Sequence, residues 1–80
     1  MEKIWIATQV SYQPVNGIKA VSLGVYSNEG DAKTACLKAM KAWRETWKKE
    51  GVELDVDKLV GWFDYDPLDR CKWIITPTEI

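Results

Sequence analysis

The chain reads as an α+β domain of ββαββ order, a four-stranded, mostly antiparallel sheet with one long helix packed on one face. Three observations carry that reading. One stretch, Ser27 to Gly51, repeats its apolar residues at helical spacing. The segments on either side of it alternate with a period of two, as half-buried strands do. A sheet with one apolar face needs one covering layer, and the chain offers a single helix for it.

Residues 3 to 12 carry Ile4, Ile6, Thr8 and Val10 on one side and Lys3, Trp5, Ala7 and Gln9 on the other. The first set is expected to face the helix, which leaves Trp5 on the uncovered face. Pro14-Val15-Asn16-Gly17 is turn chemistry, with Asn-Gly suited to positive φ. Residues 18 to 26 supply the second strand, with Val21, Leu23 and Val25 expected inward and Ser22 and Gly24 outward. The two strands form a hairpin.

At 100° per residue, Ala32, Ala35, Cys36, Ala39, Met40, Trp43 and Trp47 share one arc of the helix. Small residues come first, so the early turns can lie close to the sheet, and indole fills the gap at the far end. Asn28, with Ser27 as the competing cap, begins the helix, and Glu29 and Asp31 suit its positive pole. Lys48 and Lys49 suit the negative pole, and Gly51 can take the left-handed conformation that ends it.

Val52 to Asp57 reads as a connector whose Val52 and Leu54 tuck under the sheet edge. Residues 58 to 65 read as the third strand. Asp64 facing water places Phe63 and Leu59 inward and Trp62 outward. Asp66-Pro67-Leu68-Asp69 is a turn, because proline fixes φ and removes a donor. Residues 70 to 76 form the fourth strand with Cys71, Trp73 and Ile75 inward and Lys72 outward, and Pro77 ends it. At 80 residues, 46% of them hydrophobic, residues 1–80 make one compact domain.

A net charge of −1 implies no whole-molecule attraction to nucleic acid or membrane. The distribution is two-sided. From residue 33 to 49, Lys33, Lys38, Lys41, Arg44, Lys48 and Lys49 stand against Glu45 alone, while from 51 to 70 Glu53, Asp55, Asp57, Asp64, Asp66 and Asp69 outnumber Lys58 and Arg70. No run approaches the ~18 apolar residues of a spanning helix and no signal-peptide pattern opens the chain, so a cytoplasmic protein is expected. Cys36 and Cys71 lack metal-ligand spacing and fall at apolar positions, as buried free thiols do.

The chain has no histidine, which removes the commonest general base and metal ligand together. Its glycines make no phosphate loop, and its carboxylate clusters do not match a calcium loop. No cofactor or metal is implied, and a non-enzymatic protein is expected. With five tryptophans in so short a chain, the first candidate surface is the open sheet face. There Trp5 and Trp62 would meet a protein partner, with Asp64, Asp66 and Asp69 at the rim. The alternative is the basic helix face, Lys38, Lys41, Arg44, Lys48 and Lys49, which is either solvated surface or a ridge for the phosphates of nucleic acid or for an acidic partner. A third reading is a small-ligand sponge working at an oligomer interface.

The stretch GVYSNEGDAKTACLKAMKAW, Gly24 to Trp43, resembles a pattern in small phage and prophage proteins, in which a strand ending in G-[VI]-Y-S runs into a helix opened by acidic residues and alanine. It is similar to the architecture of compact anti-CRISPR proteins, which inhibit host defence by stoichiometric binding. The resemblance covers about a quarter of the chain. It implies a mobile-element accessory protein that acts by occupying a surface, and it assigns no site residue.

Overall fold

A computed structural model of the chain describes residues 2–80. Its elements are β1 (Lys3–Gln13), β2 (Gly17–Tyr26), α1 (Glu29–Trp47), a 3₁₀ turn (Lys48–Glu50), β3 (Val52–Asp55), β4 (Val60–Phe63) and β5 (Asp66–Glu79). Every pairing is antiparallel and the sheet is open, in the order β2-β1-β5-β4-β3. The α+β class and the single helix on one face agree with the expectation; the fifth strand does not. Val52–Asp55 pairs with β4 from Val52↔Phe63 to Asp55↔Val60 instead of acting as a connector. Its inward residues, Val52 and Leu54, do pack against the core.

The helix begins where expected. Asn28 is extended and its Oδ1 accepts from the Asp31 amide at 2.8 Å, which satisfies one of the free donors of the first turn. At the other end the 3₁₀ turn tightens the chain and Gly51, at φ 82°, returns its amide to the Lys48 carbonyl at 3.2 Å. Ala32, Cys36, Met40 and Trp43 are buried along one stripe, and they meet Ala7, Phe63, Cys71 and Trp73 from the sheet. Trp47, expected to fill the core, is 40% exposed. The helix has run past the end of the packed layer there.

The faces of β1 are the reverse of the expectation. Ala7 is fully buried under the helix and Trp5 packs against the same core, while Ile4, Ile6, Thr8 and Val10 lie on the open face. Size decides this. The alanine-rich first turns of α1 come close to the sheet only over a small side chain, and Ala7 is the small one. On β2, a bulge opposite Ala7 and Thr8 leaves Leu23 unpaired and shifts the alternation by one. Leu23 packs inward, whereas Val25 sits beside Ile6 on the open face, 59% exposed, and Gly24 turns to the helix side.

β5 is twice the length expected, because both prolines are accommodated. The ladder steps from Trp62↔Arg70 to Phe63↔Asp66, so Pro67, Leu68 and Asp69 bulge out of it and the turn falls at Asp64-Tyr65. Pro77 lies opposite Trp5, beyond the last β4 pairing at Lys72, where β5 borders β1 alone and one side needs no donor. Cys71, Trp73 and Ile75 face the helix and Lys72 faces out, as the alternation requires.

Candidate functional site

The C-terminal end of α1 overhangs a cleft of about 490 Å³. Trp43 and Trp47, one turn apart, both stand edge-on to Phe63 of β4, with ring centroids at 5.5 and 5.6 Å. Tyr65 also lies against Phe63, at 5.2 Å, so four aromatic rings are joined in one run of contacts. Gln9 and Ser11 of β1 and the Pro14-Val15-Asn16 turn close the opposite side. Asp66 and Asp69, from the start of β5, complete the lining.

Several of these groups are held by hydrogen bonds. Tyr65 Oη donates to Asp69 Oδ2 at 2.8 Å, and that bond is the main reason the phenol is pushed above its ordinary pKa. Asp66 Oδ1 accepts from the Leu68 amide at 3.0 Å, which braces the bulge. Gln9 Oε1 accepts from the buried Trp73 Nε1 at 2.9 Å, which anchors the β1 side. Among the described residues the one ion pair is Lys48–Glu45, so Asp66 and Asp69 have no cationic partner. The cleft thus sets aromatic side chains beside two carboxylates that have no ion-pair partner among the described residues. A guanidinium or ammonium group fits that chemistry, by cation–π contact and charge-assisted hydrogen bonding together.

The thiols take no part. Burial pushes the Cys71 thiol up to about 11 and raises Cys36 as well, which keeps both protonated and poorly nucleophilic at neutral pH. Among the described residues no group of three His, Cys, Asp or Glu side chains is placed to hold a metal ion, and no helix is long and apolar enough to cross a membrane.

The sheet divides the residues singled out from the sequence. Trp62 is on the open face, half-buried, as expected. Trp5 is not: it packs under the helix side, so the two do not form one patch. Asp66 and Asp69 belong to the cleft on the helix side, and exposed Asp64 sits at the turn, its amide bonded to the Gly51 carbonyl at 3.0 Å. Ala20 and Ile74 also lie on the open face, where Arg70 stacks on Tyr12 at 5.3 Å. Of the basic helix face, Lys38, Lys41 and Arg44 border a groove, Lys48 is paired with Glu45 at 3.1 Å, and Lys49 lies in the 3₁₀ turn. The cleft walls Trp47, Phe63 and Tyr65 were not candidate site residues. Trp47 one turn after Trp43 was the signal, since a second indole at a helix end lies where the core is running out.

No protein-family model matches the chain, and no curated protein or solved structure matches it either.

Proposed function

We propose that this is a non-enzymatic protein-binding module whose cleft receives an arginine or lysine of a basic partner surface. The observation that carries the reading is the wall of Trp43, Trp47, Phe63 and Tyr65 set beside Asp66 and Asp69, which have no cation of their own among the described residues. Aromatic rings in such a position supply a large rigid contact, and unpaired carboxylates select the sign of charge that enters. Asp64, exposed at the neighbouring turn, adds to the acidic rim.

The resemblance over Gly24–Trp43 extends the proposal to a phage or mobile-element accessory protein that inhibits a host defence or nucleic-acid-handling complex by stoichiometric occupancy. A surface that handles nucleic acid is rich in the cations the cleft accepts. The test is affinity capture with the parent and with an Asp66→Asn, Asp69→Asn double variant. The same partner protein should be retained by the parent and lost from the variant. Equal retention by both would remove the cleft from the interface.

A further inference from the structure

On another flank of α1, between the helix and β3, lies a second groove of about 300 Å³. Leu37 and Met40 of the helix and Leu54 and Val56 below form an apolar floor, and Lys38, Lys41 and Arg44 stand at the rim. None of these three cations is in an ion pair among the described residues. The groove also lies beside a free edge. β3 is the last strand of the sheet, and among the described residues no strand pairs with its outer side.

We propose that β3 accepts an extended segment of a partner protein as a sixth strand, with an apolar side chain seated in this groove and carboxylates beneath Lys38, Lys41 and Arg44. The alternation of a strand makes the required pattern specific. A residue opposite Leu54 points to the helix side and into the groove, because Leu54 itself pairs with Gly61 on that face. Its neighbours two positions away share that side and come under the cations, so acidic residues belong there. The intervening residues point to the open face beside Glu53 and Asp55, which pair with Trp62 and Val60. Carboxylates at those positions would be repelled. The segment is therefore acidic and apolar on one parity and neutral or basic on the other.

A peptide fits better than nucleic acid. The floor is aliphatic, with no aromatic ring on which a base could stack, and Lys48 of the basic face is already engaged by Glu45. This site is independent of the aromatic cleft and stands or falls without it.

The test uses two dye-labelled heptapeptides of one composition, followed by fluorescence anisotropy. Ser-Asp-Thr-Leu-Thr-Asp-Ser places both carboxylates on the parity of the leucine, and Ser-Thr-Asp-Leu-Asp-Thr-Ser places them on the other. The first should bind saturably, with a dissociation constant on the order of 0.1 mM, and the second at least about tenfold more weakly. Lys41→Glu, at an exposed position and shown to be folded by circular dichroism, should weaken the first peptide about tenfold or more, and Lys41→Arg should restore it. Absence of saturable binding, or equal binding of the two isomers, would overturn the proposal. So would binding of a ten-nucleotide oligothymidylate that Lys41→Glu abolishes while the peptide fails to bind, which assigns the cations to nucleic acid. A dimer of the parent that Lys41→Glu dissociates without any peptide would overturn it in favour of a second copy of this chain.

Discussion

Trp43 lies so close to Gly61 that a methyl group on the glycine would sit 2.6 Å from the indole Cζ3 and 2.7 Å from Leu54 Cδ2. The helix can seat its indole on the sheet only because β4 has no side chain at that point. Gly61→Ala should therefore destabilise the fold by roughly 1–3 kcal/mol through overpacking, despite the better strand propensity of alanine. Chemical denaturation measures it, and an unchanged midpoint would show that the indole has room to move.

Trp43 is 9% exposed and touches both Phe63 and Trp73 edge-on. Trp43→Ala should cost about 3–5 kcal/mol, a large share of the stability of a domain this small. Trp62→Ala, on the half-buried open face, should cost less. The order of the two denaturation midpoints checks which face of β4 the helix covers.

Gln9 is the acceptor for the indole N–H of Trp73, which is 1% exposed. Gln9→Leu keeps the bulk but leaves that donor unsatisfied in the interior, at a cost of about 1–3 kcal/mol. Urea titration of the variant reads the loss. Equal stability would mean that another acceptor takes the proton.

The helix and the inward side of β5 were legible because their signals are local. Asn28 caps within its own turn, and Lys72 between Cys71 and Trp73 marks the outward side. What escaped the sequence depended on contacts between elements. Trp5 looked like an outward residue until the close approach of the alanine-rich turns selected Ala7 for the inside. Val25 changed face because Leu23 bulges, and nothing in IKAVSLGVY marks the bulge except a glycine whose φ is 143°. Pro67 and Pro77 read as strand breakers, yet one is looped out and the other lies on an unpaired side. Of the candidate site, Asp66 and Asp69 were found as charges, but the aromatic wall they join is assembled from α1, β4 and the turn after it.

Burial holds the Cys71 thiol at about 11, above its ordinary 9.0. A raised folded-state value adds stability that is fully present below pH 9 and is lost as pH climbs through 11. The stability difference between the parent and Cys71→Ala should therefore shift against the parent over that window. At pH 8 both thiols should react with a disulfide reagent only after unfolding. Rapid stoichiometric labelling of the native protein would show that the thiols are accessible.

The cleft is tested most directly by the tryptophan indole N–H signals in a ¹⁵N–¹H spectrum, recorded while a capped Gly-Arg-Gly-Arg-Gly peptide is added. Entry of a guanidinium between the rings and the carboxylates should shift the signals of Trp43 and Trp47. Those of Trp5 and Trp62 should stay in place, and the shifts should vanish in the Asp66→Asn, Asp69→Asn variant. Shifts confined to Trp62, or shifts that persist without the two carboxylates, would place the basic ligand elsewhere and refute the cleft as its site.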